Sequence, residues 1–165
     1  MTRLALLLAI TLLVPACAPV RATSATAPNP LVGSWTLERY VDTPEGGAPI
    51  YAFGEHPSGL FVFTADGHVS INLMRNPPAI GQTVDDPDPD ACIPGWYCSY
   101  YGTYDYDSSG PSWTTHVVGG NIPNYLQTDQ TRHFRFSGDT IVISERYEAL
   151  GKLVIGERIL RRVRR

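Results

Sequence analysis

Short runs of alternating apolar and polar residues recur along the chain from about residue 31 to the C-terminus. They are rich in Val, Ile, Thr, Tyr, Phe and Trp and are separated by Gly, Pro, Asn and Asp, a pattern typical of β-strands joined by turns. The pattern predicts strands at residues 33–41, 59–65, 68–74, 99–106, 112–119, 131–137, 139–146 and 153–162. Residues 76–91 could hold a short helix, but no long window carries a helical stripe, so we predict an all-β protein.

The residues between these strands predict hairpins. Asp66-Gly67 separates the second and third predicted strands, and Ser137-Gly138-Asp139 separates the sixth and seventh. Such residues favour tight turns between antiparallel strands. A long series of hairpins must close or pack on itself to hide its edge strands. We therefore predict an antiparallel up-and-down β-barrel of roughly eight strands, whose interior holds packed side chains or one small ligand. A two-sheet sandwich is the alternative.

The N-terminal segment follows a different pattern. Arg3 precedes an apolar run of about eleven residues, which is too short to span a bilayer but suits the core of a signal peptide. The sequence VPACAP follows, and an aliphatic residue with small residues before Cys17 is typical of a bacterial lipoprotein signal. We predict a signal peptide at residues 1–16, a Pro/Ala/Ser/Thr tether at 17–30 and a barrel domain at 31–165. Cleavage after Ala18 without lipidation is the alternative.

Both alternatives imply export. The lipoprotein would be anchored to a membrane of the bacterial cell envelope through its N-terminal lipid, and the unlipidated protein would be periplasmic or secreted. An oxidising compartment favours a disulfide between Cys92 and Cys98, which lie in the sequence CIPGWYC. A redox-active pair would need the spacing Cys-x-x-Cys, and a metal site would need further Cys or His nearby. We therefore predict a structural disulfide.

Composition and charge exclude several classes of function. Apolar residues make up 43% and charged residues 18% of the chain, as in an ordinary globular domain. The net charge of −3 offers no basic surface for nucleic acid, and the Arg cluster at 158–165 is expected to flank the last strand. The acidic residues at 85–90 lack the Gly and Glu of a calcium loop, and no zinc-protease or serine-hydrolase motif is present. We predict neither a metal nor a cofactor.

The sequence GSWTLERY at the first strand resembles the Gly-x-Trp signature of lipocalin-type barrels. In that superfamily the Trp closes one end of the barrel, often beneath an Arg of the last strand. The resemblance implies that Trp35 is such a floor residue. It also implies a cation over the Trp ring, for which Arg158 is the first candidate and Arg161 and Arg162 are the alternatives.

A longer resemblance covers most of the domain. The stretches LVGSWTLERY, HPSGLFVFTADGHVSINLMR, YYGTYDYD and WTTHVVGGNIPNYLQTDQTRHFRF are similar, in order and spacing, to the bacterial and fungal lipocalin-like domain family, whereas residues 76–98 do not align with it. The resemblance implies a barrel in which matching polar residues orient a carbonyl or hydroxyl ligand or pass a proton. The ligand-binding candidates at those positions are Tyr101, Tyr104, His116, Asn124, Gln130 and Arg132. The alternative is that such residues form a buried hydrogen-bond network with a structural role.

Three functions are compatible with this sequence. We prefer an envelope-anchored binding protein that holds a small apolar molecule inside the barrel. A structural envelope barrel filled with side chains is the second hypothesis. The third is a cofactor-independent isomerase or cyclase in which His116 and Tyr104 form an acid–base pair, and it requires His116 to face a pocket. The position of His116 depends on strand register, because a shift of one residue would move its side chain between the inside and the outside.

Overall fold

The computed structural model describes residues 28–78, 97–149 and 151–164. Within these ranges the chain forms eight β-strands and one turn of 3₁₀ helix, which confirms the all-β prediction. The strands are β1 (Gly33–Pro44), β2 (Ser58–Phe63), β3 (His68–Met74), β4 (Tyr97–Asp107), β5 (Ser112–Gly120), β6 (Asp129–Ser137), β7 (Thr140–Ala149) and β8 (Lys152–Arg162), and the 3₁₀ helix is Pro123–Tyr125. Most of the segment predicted to hold a short helix, residues 79–91, lies outside the described residues.

Each strand pairs antiparallel with the next, and β8 pairs with β1, so the sheet closes into an up-and-down barrel. The barrel prediction is therefore confirmed, and the sandwich alternative is wrong. Closure covers the two strand edges that an open meander would expose. β1 continues to Pro44, beyond its predicted end at residue 41, because Asp42, Thr43 and Pro44 pair with Gly156, Ile155 and Val154 of β8.

The connections differ in length at the two ends of the barrel. At one end, which we call the closed end, tight turns at residues 64–67, 108–111 and 138–139 join β2 to β3, β4 to β5 and β6 to β7. The first of these is the hairpin predicted from Asp66-Gly67, and Gly67 has φ +85°, a conformation that favours glycine. At the other end, which we call the open end, three of the four connections are longer, at residues 45–57, 75–96 and 121–128.

Trp35 forms the floor of the barrel at the closed end. Its side chain and that of Leu31 are fully buried, and its indole Nε1 donates a hydrogen bond to the Leu31 carbonyl oxygen at 2.8 Å. The guanidinium carbon of Arg162 lies 4.0 Å from the centre of the Trp35 ring. The same guanidinium donates hydrogen bonds to the carbonyl oxygens of Val32 and Pro30. The cation over the Trp is therefore Arg162 and not Arg158, which corrects the first candidate from the sequence.

The start of β1 explains why a Gly precedes the Ser-Trp pair. Gly33 has φ +132°, which favours glycine, and a Cβ atom at this position would lie 3.0 Å from Nη1 of Arg162. Contacts with the barrel begin slightly earlier than the predicted start of the domain at residue 31. The side-chain amide of Asn29 donates a hydrogen bond to the hydroxyl oxygen of Tyr104 at 3.0 Å. The entering chain and the last strand together close this end of the barrel.

Candidate ligand-binding cavity

A cavity of about 530 Å³ lies inside the barrel, between the Trp35 floor and the open end. All eight strands contribute to its wall, because alternate residues of a strand point into a barrel. Its apolar surface is formed by Leu37, Phe61, Ile71, Leu73, Trp113 and Ile143. Its main polar side chains are Tyr40, Tyr100, Tyr125, Arg132, Glu145 and Arg158. A hollow of this size with apolar walls and a few convergent polar groups is typical of a small-molecule site.

Arg158 and Asp42 form an ion pair at the cavity wall. Nη2 of Arg158 lies 2.8 Å from Oδ1 of Asp42, and the two side chains are only 12% and 14% exposed. The guanidinium carbon also lies 3.4 Å from the centre of the Tyr40 ring. Burial disfavours the charge of Arg158, but Tyr40 and Asp42 outweigh this effect and hold its pKa above the ordinary value. Arg158 therefore remains positively charged, and the carboxylate of Asp42 balances this charge within the barrel.

A second ion pair joins β6 to β7. Nε of Arg132 lies 3.2 Å from Oε1 of Glu145, and both residues line the cavity. Nη2 of Arg132 also donates a long hydrogen bond of 3.5 Å to the Tyr125 hydroxyl oxygen. This pair resembles the first in its chemistry, since each places one guanidinium beside one carboxylate. The two pairs together contribute no net charge to the cavity wall.

The wall of the barrel is incomplete between β6 and β7. Main-chain pairing of these strands runs from Ser137 and Thr140 to Phe134 and Ile143 and stops there, although both strands continue toward the open end. Residues 131–133 and 144–147 flank the resulting gap, and both segments line the cavity. The Arg132–Glu145 ion pair spans the gap where the main-chain bonds have ended. The cavity thus reaches the surface through the side of the barrel, between β6 and β7.

Tyr100 contributes a phenol hydroxyl to the cavity wall. The residue is 5% exposed, and its ring packs edge-on against Tyr125 with the ring centres 5.4 Å apart. Burial raises the pKa of Tyr100 to about 12, so the hydroxyl keeps its proton at neutral pH. Within the described part of the chain, no hydrogen bond uses this hydroxyl.

His116 lies on the outer face of the barrel. On β5, Trp113, Thr115 and Val117 are buried at alternate positions, so the alternation turns His116 outward. Its Nδ1 lies 2.7 Å from Oδ1 of Asp129 and its Nε2 lies 3.0 Å from Oδ2 of Asp105. Hydrogen bonds to Asp105 and Asp129 raise the pKa of His116 above its ordinary value. The expectation that His116 lines the interior is therefore corrected.

Tyr104 points inward but lies at the closed end, away from His116. Its hydroxyl donates a hydrogen bond to the Thr64 carbonyl oxygen at 3.1 Å and accepts the one from Asn29. Its ring packs edge-on against Phe63, with the ring centres 5.1 Å apart. The hydroxyl is thus used to tie the closed end together. The arrangement does not contain the acid–base pair of His116 and Tyr104 that the enzyme hypothesis requires.

The remaining predicted ligand-binding residues do not share one site in the structure. Tyr101 is on the outer face, where its ring lies over Gly119. Asn124 is exposed in the 3₁₀ helix. Gln130 is half-buried, and its side-chain amide donates a hydrogen bond to Thr128 Oγ1 at 2.9 Å. Of the six predicted residues, Arg132 is the one whose side chain lines the cavity in the described structure.

The sequence carried a signal for one of the cavity residues that our prediction missed. On β7 the inward positions Ile141 and Ile143 are followed, two residues later, by Glu145, so alternation places a carboxylate inside the barrel. The inward position of Tyr40, in contrast, could not be predicted from alternation along β1. The register between β1 and β8 shifts between Leu37 and Arg39, and this irregularity turns Tyr40 toward the cavity.

Two further predictions concern cysteines and metals. Cys98 is buried in β4, but Cys92 lies outside the described residues, so the bond between them stays a prediction. Among the described residues, no group of three or more His, Cys, Asp and Glu side chains is arranged to hold a metal ion. In the same ranges, no helix has the length and apolar character needed to span a membrane.

A family model described as a lipocalin-like domain matches residues 32–156, which is most of the barrel. No curated protein matches the chain. No solved structure matches it either.

Proposed function

Because this chain belongs to the lipocalin-like domain family, we propose that its barrel binds a small, largely apolar molecule in the internal cavity. The observation that carries the proposal is the cavity of about 530 Å³. This volume falls within the range of about 300–1,000 Å³ that is usual for small-molecule sites. The apolar side chains of its wall would bury the body of a ligand, and the Tyr and Arg side chains would orient its polar end.

Two features of the barrel, its cavity and the position of His116, weigh against the two alternatives. A purely structural barrel would fill its interior with side chains at the density of a protein core, whereas this barrel leaves a hollow beside Leu73 and Ile143. The isomerase or cyclase hypothesis needs His116 and a Tyr on the same pocket, but His116 lies on the outer face. Binding is therefore the function that this geometry supports best.

The proposal is tested with two variants, one that alters the inner face of the barrel and one that alters its outer face. Leu73 is 7% exposed and lines the cavity, whereas Leu60 on the neighbouring strand is 42% exposed. Leu73→Trp fills part of the hollow, and Leu60→Trp adds the same side chain to the outside. The neutral fluorophore N-phenyl-1-naphthylamine is titrated into wild type and both variants, with thermal melts to show that each is folded.

We expect saturable binding to wild type and to Leu60→Trp, and binding weakened at least about tenfold, or about 1.4 kcal/mol, in Leu73→Trp. Equal binding by the two variants would place the fluorophore on the surface and contradict the proposal. Absence of saturable binding to wild type would contradict it as well.

We further propose that the barrel is exported and attached to the cell envelope through lipid on Cys17. Support comes from the apolar run after Arg3 and from the sequence VPAC. The test is fractionation and intact mass of wild type and Cys17→Ser expressed in a bacterial host. The wild type should be found in the membrane fraction with lipid mass on Cys17, and the variant should be soluble or incompletely processed. Identical fractionation of the two proteins would contradict the anchor.

Export also supports the proposed disulfide between Cys92 and Cys98. A bond across so short a loop stabilises a protein toward the lower end of the usual ~2–4 kcal/mol. Thiols are counted on denatured, unreduced protein recovered from the oxidising compartment. The proposal expects neither residue to react with a thiol reagent before reduction and both to react after it. Two reactive thiols before reduction would contradict the proposed disulfide.

A further inference from the structure

The charges in the cavity wall bear on the chemical class of the ligand, in an argument that rests on the proposed function. Arg158 is paired with Asp42 and Arg132 with Glu145, whereas the third arginine of the lining, Arg146, is exposed to water. An ionised ligand group would add a charge that these pairs do not balance. Moving an ionised group from water into the barrel without an opposite charge to balance it is unfavourable. The wall therefore suits a neutral ligand better than an acid or an amine.

The hydroxyl of Tyr100 is one polar group of the cavity wall that no other described residue uses. It lines the cavity and makes no hydrogen bond to another described residue. The Tyr100 ring packs against Tyr125, whose hydroxyl oxygen accepts the long hydrogen bond from Arg132, so Tyr100 lies at the polar side of the hollow. The buried Tyr stays protonated, so its O–H is available as a donor. A ligand oxygen in the cavity would supply a hydrogen-bond acceptor for it.

Two other buried groups could be considered as ligand contacts. The indole Nε1 of Trp113 and the Oγ1 of Thr115 also lack hydrogen-bond partners within the described ranges. Both atoms are closed off from the cavity space, whereas the Tyr100 hydroxyl is not among the closed-off atoms. The Tyr100 hydroxyl is therefore the more accessible of these groups to a molecule in the cavity.

From these observations we infer that the ligand is an uncharged apolar molecule bearing a carbonyl or hydroxyl oxygen, and that this oxygen accepts a hydrogen bond from Tyr100. The apolar body lies against the aliphatic and aromatic wall formed by residues such as Ile71 and Leu73. The oxygen points to the side of the cavity where Tyr100 and Tyr125 meet. Tyr100 thereby sets the preference for an oxygenated ligand over a hydrocarbon of the same shape.

The test uses three probes that share one ring system: naphthalene, 2-acetylnaphthalene and 2-naphthoate. Each is titrated by calorimetry into wild type, Tyr100→Phe and Tyr101→Phe. The first variant removes the hydroxyl in the cavity, and the second removes one from the adjacent residue on the outer face. Thermal melts show that all three proteins are folded.

We expect 2-acetylnaphthalene to bind wild type and Tyr101→Phe about two- to tenfold more tightly than naphthalene, as one hydrogen bond would give. Tyr100→Phe should lose this difference while binding naphthalene unchanged, and 2-naphthoate should bind most weakly to all three. A preference that survives in Tyr100→Phe, or tightest binding of 2-naphthoate, would overturn the inference. If none of the three probes binds wild type, the proposed function itself fails, and the inference fails with it.

Discussion

The guanidinium carbon of Arg162 lies 4.0 Å from the centre of the Trp35 ring, and the two residues are directly opposite each other in the pairing of β1 with β8. Four residues earlier on β8, Arg158 makes the same kind of contact with Tyr40. Because 158 and 162 are both even positions of one strand, the two side chains point to the same face. One arginine therefore closes the floor of the barrel, and the other lines the cavity above it.

Replacing Trp35 with Ala should destabilise the barrel strongly. The side chain is fully buried, and large-to-small substitution of a buried aromatic residue costs about 3–5 kcal/mol. This is a large share of the ~5–15 kcal/mol by which a typical domain is stable. The measurement is the free energy of unfolding in denaturant, with Tyr101→Ala on the outer face as the control, which should lose no more than about 1 kcal/mol. Equal losses in the two variants would mean that Trp35 does not close the barrel.

Adjacent arginines of β8 provide a second comparison. Arg162→Leu removes a cation over the Trp35 ring and two hydrogen bonds to main-chain carbonyl oxygens, and it should cost about 2 kcal/mol or more. Arg161 is exposed and pairs with Glu38 on the outside, so Arg161→Leu should leave the denaturation midpoint nearly unchanged. The measurement is the unfolding free energy of each variant, taken from denaturant melts. A larger loss in Arg161→Leu than in Arg162→Leu would contradict the assignment of the floor cation.

The pairing of His116 with two carboxylates predicts a pH dependence of stability. Its pKa is raised in the folded protein, by Asp105 first and then by Asp129, above an ordinary value of about 6.5. The stabilisation is therefore fully present below the unfolded pKa and is lost as the pH rises through the folded pKa. The difference in unfolding free energy between wild type and His116→Gln should be larger at about pH 6 than at about pH 9. His133→Gln, at an exposed position of β6, is the control. A difference in unfolding free energy that grows with pH would contradict a raised pKa of His116 in the folded protein.

The sequence was sufficient to predict the fold, because the information lies in local patterns. Alternation marks the strands, and turn residues such as Asp66-Gly67 mark the hairpins. Alternation within β5 also carries the orientation of His116, once Trp113 is taken as an inward residue. The sequence alone does not show whether Trp113 points inward, because a one-residue shift in strand register exchanges the inner and outer faces of β5.

The contacts that define the cavity depend on features that no local pattern contains. Arg158 and Arg162 share a face, and only the register of the first strand against the last decides which of them meets Trp35. The inward position of Tyr40 follows from an irregularity in the same pairing. The Arg132–Glu145 ion pair requires β6 and β7 to separate after Phe134 and Ile143. These are long-range properties of barrel closure, and the structure is needed to see them.

Native mass spectrometry of protein purified without detergent tests the central claim, that the barrel carries a small molecule in its cavity. We expect wild type and Leu60→Trp to retain a bound mass of a few hundred daltons, which is lost on denaturation and is absent or much reduced in Leu73→Trp. We also expect the released compound to be uncharged and to contain oxygen. Retention of the same mass by Leu73→Trp, or a wild type that stays free of any compound even after incubation with 2-acetylnaphthalene, would contradict the claim.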